Sequence, residues 1–380
     1  MEEERCYNPR AARIAISVAI YVFTVSSLPI YNKRIFSGTA CWTGGCAKSF
    51  PYPIAVAFLQ LGFVSLLLAF SSISSYVICR RSCDLGHSWV LGPHIAYKLR
   101  HIGPAGVLFG FKYGVTNWGL ALVPTGKHLL LQSTDLVWTV IFARIINKER
   151  LGLLETVAAS LSVVGALFVS LAAGGELKAP ALGLLVNLLT PILLALSITT
   201  LRNGAAEIFQ KGNCLHGTMT PVEFTAIKLG LSSFVALILS FLIENEAVLE
   251  AEGAKNMQAW WEALAEYPLE SLSLLLSGGF FVLLFHVNIT WLAGITSAVA
   301  IGIVGELKVV PQWLLNAFFS FEVDLSPLNL LGAALSLLGS ILYVIAASLP
   351  RKLKVSHHGF EWCIRASVKE QLLATTSSVR

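Results

Sequence analysis

Residues 296–320 read TSAVAIGIVGELKVVPQWLLNAFFS, and in this run of 25 residues only Glu306 and Lys308 carry a charge. A helix of about 20 largely apolar residues crosses the hydrocarbon core of a bilayer, where no water is present to hydrogen-bond the backbone. The run is long enough to do so. It therefore predicts a transmembrane helix that carries two charges near the middle of the membrane.

The rest of the chain repeats this pattern of long uncharged runs separated by short charged segments. Its 380 residues are 55% hydrophobic and 13% charged, whereas a soluble domain is roughly 25% charged. Ten segments pass the length test, approximately 14–32, 53–77, 102–123, 126–146, 153–173, 181–200, 222–243, 271–293, 296–320 and 326–349. We therefore predict an all-α integral membrane protein with ten transmembrane helices, whose surroundings are the lipid bilayer.

The distribution of Lys and Arg between the two sides predicts the orientation. With a cytosolic N-terminus, the cytosolic segments carry eighteen of these residues and the opposite segments carry six. The longest opposite loop, 244–270, is acidic. Because basic residues accumulate on the cytosolic side, we expect residues 1–13 and the C-terminal tail 350–380 in the cytosol.

Several functional classes lack their usual signatures in the sequence. No phosphate-binding loop of an ATPase, no dinucleotide-binding glycine motif, no HExxH and no GxSxG occurs. The basic residues are scattered over short loops, which disfavours nucleic-acid binding. We expect neither enzymatic activity nor a cofactor or metal. Cys41 and Cys46 could close a small disulfide in an oxidising compartment, and the sequence leaves this open.

An internal repeat divides the chain into two halves. Ser162-Val-Val-Gly165 returns as Ser336-Leu-Leu-Gly339 at an offset of 174 residues. The halves, 14–175 and 176–349, would then hold five helices each. An odd number of spans per half gives the halves opposite orientations, which is the inverted architecture of carriers that work by alternating access.

A few charged residues fall inside predicted spans: Lys112, Asp135, Lys228, Glu306 and Lys308. Because inserting each charged side chain into the membrane costs about 2.5–3.5 kcal/mol, we expect each to have an ion-pair partner or a functional role. Lys308 lies too deep to reach the interface and is the best candidate to bind a phosphate. Glu306 points to nearly the opposite side of that helix, so we expect it to pair with Lys112 or Lys228. Without substrate, Lys308 would carry an uncompensated charge, which favours one-for-one exchange.

Polar residues on the same helices complete the candidate substrate site. Beside Lys308, the residues predicted to bind substrate are Lys112, Tyr113, Asn117, Lys127, Thr134 and Gln312. Asp135, Glu306 and Lys228 are predicted structural or gating charges. His128 and His286 are expected to be structural histidines rather than proton carriers.

Three segments resemble the triose-phosphate/nucleotide-sugar translocator family of the drug/metabolite transporter superfamily. Tyr31-Asn32-Lys33 is similar to the opening motif of that family, and Pro51-Tyr-Pro53 to its Phe-Pro start of the second helix. Ile295-Thr-Ser-Ala-Val299 with Gly305-Glu-Leu-Lys308 is similar to its Thr-Ser-Ala…Lys stretch. The resemblance covers residues 14–349. It implies ten helices in an inverted five-plus-five repeat, strict exchange of substrates, and a phosphate held by the lysine of the ninth helix.

One difference from that family narrows the range of expected substrates. Plastid phosphate translocators carry Lys-Arg at the ninth-helix position, whereas this chain has Lys308-Val309. We therefore expect an antiporter that exchanges a nucleotide sugar for a nucleoside monophosphate. The alternatives are a sugar-phosphate or organic-phosphate translocator that exchanges for inorganic phosphate and, ranked lower, a non-transporting membrane scaffold on a carrier fold.

The expected location is the Golgi or endoplasmic reticulum membrane, with the plastid envelope as the alternative. The three glutamates that follow Met1 are unlike a transit peptide. Whether two copies associate as a homodimer is left open.

The orientation can be tested by labelling single cysteines introduced into sealed vesicles. We expect a membrane-impermeant reagent to reach the C-terminal tail from the cytosolic side and the 244–270 loop from the lumenal side. A C-terminal tail that reacts only from the lumen would contradict the predicted orientation.

Overall fold

The computed structural model describes residues 9–42, 45–46, 48–82, 90–92, 94–123, 128, 132, 134–173, 181–245, 258–308, 311 and 326–348. Within them the secondary structure is helical apart from a small hairpin of two two-residue strands, β1 (Cys41–Trp42) and β2 (Gly45–Cys46). The helices are α1 (Pro9–Ser37), α2 (Pro53–Ser82), α3 (Ile95–Leu122), α4 (Asp135–Ile146), α5 (Leu153–Ala173), α6 (Ala181–Ile208), α7 (Pro221–Ile243), α8 (Trp260–Ala265), α9 (Leu269–Ser277), α10 (Gly279–Ile295), α11 (Ala298–Glu306) and α12 (Pro327–Ser348).

Five described segments are long and apolar enough to cross a membrane: Ala12–Ser37, Pro53–Val77, Ala181–Ile208, Pro221–Ile243 and Leu269–Ile295. Large apolar side chains face outward on such helices, and Leu66, Leu185 and Leu242 are each more than half exposed. Lipid rather than water suits these surfaces. The predicted helical class and its fit to a multi-pass membrane protein are therefore confirmed.

The total of ten transmembrane spans remains a prediction. Each predicted span overlaps a helix, but the described helix α4 has 12 residues and α11 has 9. At the N-terminus, α1 begins at Pro9, within the segment 1–13 that was predicted to be a tail. The predicted C-terminal tail lies outside the described residues.

Helix α2 packs along α7, and the two helices run antiparallel. Near one end, the hydroxyl of Ser233 donates to the carbonyl of Phe58 at 3.1 Å. Further along, the hydroxyl of Ser65 donates to the carbonyl of Ala226 at 2.9 Å. Residue numbers therefore increase along one helix in the direction in which they decrease along the other.

Helices α5 and α12 pack against each other in a close seam, and they also run antiparallel. A Cβ added to Gly165 would lie 2.2 Å from the backbone nitrogen of Ser336, and one added to Gly339 would lie 2.4 Å from that of Ser162. The Ser162 hydroxyl also contacts the Ser340 hydroxyl at 3.1 Å. The contact is reciprocal, because the serine of each segment faces the glycine of the other. Small residues allow such close approach of membrane helices.

Helix α4 meets α11 in a third antiparallel pairing. Glu149, just after α4, accepts hydrogen bonds from the backbone N–H groups of Ala298 at 2.9 Å and Val299 at 3.3 Å. The carboxylate thereby satisfies two free N–H groups at the start of α11. In the middle, Gly302 faces Thr139, whose methyl carbon would lie 3.0 Å from an added Cβ. This close approach brings the far end of α11 next to the start of α4.

The Tyr31-Asn32-Lys33 segment joins α1 to three other helices. The Tyr31 hydroxyl lies 2.6 Å from that of Ser277 on α9. The Asn32 side-chain oxygen accepts a hydrogen bond from Gln60 on α2 at 3.0 Å. Lys33 donates to the carbonyl of Leu120 at 2.8 Å and so caps the C-terminal end of α3. We refer to these three residues as the α1 clasp.

The hairpin pairs Cys41 with Cys46 directly across its two strands. The side chains of both cysteines lie outside what the structure describes. The disulfide therefore stays a prediction.

The α5–α12 seam predicts that a larger side chain at position 165 strongly lowers the stability of the protein. We expect Gly165→Val to lower the melting temperature in detergent, because overpacking usually costs about 1–3 kcal/mol and here the neighbour is backbone. Gly212→Val in the loop before α7 is the control, since Gly212 is exposed and, apart from its chain neighbours, no atom lies within 4 Å of a Cβ there. Equal melting temperatures for the two variants would contradict the packing.

Candidate functional site

A central cavity, part of it open to solvent, lies among α1, α3, α6, α10 and the residues that follow α11. The residues that line it are Tyr21, Thr24, Val25, Leu28, Pro29, Asn32, Lys112, Tyr113, Thr116, Asn117, Leu120, Gln132, Leu194, Phe285 and Lys308. Of the predicted substrate-binding residues, the structure brings together Lys308, Lys112, Tyr113 and Asn117.

Lys308 forms a buried ion pair with Asp135, with 2.7 Å between Nζ and Oδ2. Asp135 is the first residue of α4, and the close packing of Gly302 on that helix brings the two groups together. The two side chains are 3% and 4% exposed. The expectation that Lys308 is uncompensated without substrate is therefore wrong for the described state, because Asp135 supplies the opposite charge.

The backbone around Lys308 differs from the predicted continuous helix. Helix α11 ends at Glu306, and Lys308 lies in a turn in which its N–H bonds to the carbonyl of Gly305 at 3.2 Å. A continuous helix is disfavoured here, because Pro311 has no N–H to donate to the fourth carbonyl before it and its ring would clash with that carbonyl.

Lys112 is the second cation of the cavity. Its Nζ lies 3.9 Å from the centre of the Tyr113 ring, a cation–π contact. Its charged neighbours are Lys308 and Asp135. Within the described ranges, no carboxylate forms an ion pair with Lys112. Its amino group is therefore available to a bound anion.

The predicted pairing of Glu306 with Lys112 or Lys228 does not occur among the described residues. Lys228 instead donates to the Thr290 hydroxyl at 2.8 Å and lies 5.0 Å from the centre of the Phe109 ring. These contacts hold Lys228 between α7 and α10, and it does not line the cavity. The charged neighbours of Glu306 are Asp135 and Lys308.

Neutral polar side chains surround the two lysines. The Asn117 amide donates to the carbonyl of Pro53 at 3.1 Å, which fixes its side chain. Gln132 bonds to His128 at 2.8 Å, and the other ring nitrogen of His128 lies 2.5 Å from the Asn187 side-chain oxygen. The buried hydroxyl of Thr116 has no partner in the part of the chain that is described. It is therefore free to bond to a ligand in the cavity.

The two histidines differ from each other. His128 has both ring nitrogens hydrogen-bonded, as expected for a structural histidine. His286 is fully buried, and neither of its ring nitrogens has a partner among the residues described. It packs edge-on against Phe109 and lies beside Tyr113.

Three predicted residues are not among the described residues that line the cavity. Lys127 and Gln312 lie outside the described residues. Thr134 immediately precedes α4 and is not part of the described cavity lining. Conversely, Tyr21 and Gln132 line the cavity but were not predicted, because uncharged residues do not stand out in a membrane helix.

Comparisons with known proteins give the fold alone. No protein-family model matches the sequence, and no curated protein matches it. One solved crystal structure superposes with a TM-score of 0.57 at 14% sequence identity, covering 88% of this chain and 99% of the other. At that identity the likeness supports the helical fold and carries no information on substrate.

The buried ion pair predicts that replacing one of its residues destabilises the protein more than replacing both. We expect Lys308→Met to destabilise the protein by about 3–5 kcal/mol, because it leaves buried carboxyl groups without their cation. The double variant Lys308→Met/Asp135→Leu should recover part of that loss. Melting temperatures in detergent would measure both, and a double variant less stable than Lys308→Met would contradict the pairing.

Proposed function

We propose that the protein is a membrane antiporter that exchanges a nucleotide sugar for a nucleoside monophosphate. The observation that carries this proposal is the central cavity, in which Lys112 and Lys308 lie beside aromatic and amide side chains. An anion that crosses a bilayer needs fixed cations where it is most desolvated. The cavity offers two.

The phosphate-binding part of the proposal rests on charge. A phosphate monoester carries about −1.5 to −2 charges near neutral pH. Lys112 has an available charge, and Lys308 can contribute a second if it exchanges Asp135 for the substrate. Two lysines would then match one dianionic phosphate.

The nucleoside part of the proposal rests on the remaining lining. Tyr21, Tyr113 and Phe285 offer ring faces on which a base can stack. Asn32 and Gln132 carry amide groups that can donate and accept hydrogen bonds. Together they suit a base or sugar bound next to a phosphate.

The two-state cycle of an antiporter is supported by the helix pairings. In the order of the predicted spans, the second pairs with the seventh, the fourth with the ninth and the fifth with the tenth, and each pair is antiparallel. We propose that the halves are inverted repeats related by an axis in the membrane plane, which is how alternating access is commonly built. The reciprocal Ser162–Gly339 and Gly165–Ser336 contacts have the pattern of a two-fold axis.

The Golgi or endoplasmic reticulum membrane is the proposed location. It is supported by Val309, which follows Lys308 where plastid phosphate translocators carry arginine. A sugar-phosphate translocator that exchanges for inorganic phosphate is the second candidate. The electrostatic proximity of Lys112 to Lys308 favours it, because Lys112 can stand in for the second cation.

Exchange in liposomes tests the proposal. Vesicles preloaded with UMP, GMP, CMP or inorganic phosphate should take up labelled nucleotide sugars only with a matching nucleotide inside. Lys112→Gln should reduce that exchange at least about tenfold, since a charged hydrogen bond contributes about 1.5–3 kcal/mol. It leaves no described carboxylate without a partner, so the protein should remain folded.

Lys211→Gln is the matched control, because Lys211 is exposed in the loop before α7. Exchange driven only by inorganic phosphate would favour the second candidate. Wild-type exchange by Lys112→Gln would contradict the role of Lys112 in the cavity. No exchange of any anion would contradict transport itself.

A further inference from the structure

Two buried carboxyl groups, Asp135 and Glu306, lie side by side next to Lys308, and we call them the carboxyl pair. Asp135 is 3% exposed and Glu306 is 1% exposed. Each is an electrostatic neighbour within hydrogen-bonding reach of the other. Lys308 bonds to Oδ2 of Asp135. Across the described residues, Oδ1 of Asp135 has no hydrogen-bond donor, and the oxygens of Glu306 have no side-chain donor, although the backbone N–H of Leu136 approaches Glu306.

Two adjacent ionised carboxylates that share a single cation are strongly unfavourable in a bilayer. An ionised carboxylate accepts hydrogen bonds but cannot donate one, whereas a protonated carboxyl group can donate. A single proton on the pair supplies the missing donor and removes the repulsion between like charges, as in other carboxyl pairs that share a proton. Lys308 can neutralise only one negative charge. The second carboxyl group is therefore neutral.

The other charged and titratable groups around the pair do not replace that proton. Tyr21 faces it from α1, and Lys112 approaches Asp135 from α3. Tyr343 on α12 and Glu155 on α5 interact near Ser297, at the opposite end of α11. None of the described ionisable side chains of α6 or α10 is an electrostatic neighbour of Glu306.

We propose that the carboxyl pair is a proton-binding site and that the protein takes up a proton when an anionic substrate binds Lys308. The inference rests on the proposed function. Before binding, Lys308 neutralises Asp135, and the pair holds one proton. When the phosphate takes over Lys308, Asp135 loses its cation, and one further proton from water leaves both carboxyl groups neutral.

Charge balance supports this coupling. With a dianionic phosphate, Lys112, Lys308 and a doubly protonated pair, the loaded site has no net charge. The empty site keeps the positive charge of Lys112. Moving that charge through the bilayer interior is costly, which favours exchange over net flux. The charge that enforces exchange is therefore that of Lys112, not that of Lys308.

Proton uptake has a measurable consequence for affinity. Since one proton binds with the substrate, lowering the pH should strengthen binding by up to about tenfold per pH unit. The double variant Asp135→Asn/Glu306→Gln has no carboxyl group left to protonate at the pair, and its amide oxygens can still accept a hydrogen bond from Lys308. We expect this variant to bind with little dependence on pH.

Calorimetry of the purified full-length protein tests the coupling. UMP, GMP and inorganic phosphate would be titrated in buffers of different ionisation enthalpy, which reports the protons taken up per ligand bound. We expect about one proton for the wild type and for Glu207→Gln, a control at an exposed carboxylate on α6. For the double variant Asp135→Asn/Glu306→Gln, which keeps neither carboxyl group, we expect clearly fewer. Binding by the wild type without proton uptake, or undiminished uptake by the double variant, would overturn the inference and leave the proposed function standing.

A second measurement does not need a ligand. Infrared spectra of the substrate-free protein should contain the C=O stretching band of a buried protonated carboxyl group, and this band should be absent from Glu306→Gln. If the band is present but none of the three ligands binds, the proposed function fails together with the coupling, while the proton site stands. If the wild type lacks the band, the proton site itself is refuted.

Discussion

A charged group in the bilayer core must be neutralised or hydrogen-bonded within the protein, since no water is present to solvate it. The candidate site depends on this constraint. Lys308 and Asp135 satisfy each other across α11 and α4. Lys228, held by Thr290 and a ring face, satisfies the same constraint without an acid. Lys112 is the exception in the described part of the chain, and for that reason it identifies the cavity as a place for an anion.

The sequence predicted which residues carry unusual charge, but it could not predict their pairs. Asp135 and Lys308 are 173 residues apart, and their contact depends on how closely Gly302 packs on α4. The direction assigned to Glu306 assumed a regular helix through Lys308, and the helix ends at Glu306. Helical periodicity cannot describe side chains beyond the last turn.

Other parts of the fold could be predicted because they depend on local pattern. The long apolar runs identified the helices, and the Ser-x-x-Gly offset picked out two segments that pack on each other. Gln132 and Asn32 were not singled out for the cavity because a neutral amide does not interrupt an apolar run as a charge does. The α1 clasp shows a further limit. Its Lys33 caps a helix, a role that depends on where α3 ends and not on any property of the motif itself.

The seam between α5 and α12 also restricts how the two halves can diverge in sequence. Gly165 faces Ser336, and Gly339 faces Ser162, so a larger residue in either segment collides with the backbone of the other. Both segments must keep small residues at the same spacing, whereas lipid-facing positions elsewhere tolerate many apolar side chains. If the halves descend from one ancestral gene, mutation will have erased their likeness fastest on the outer surface. Sequence similarity between the halves would then persist longest at the α5–α12 seam, where each half packs directly against the other.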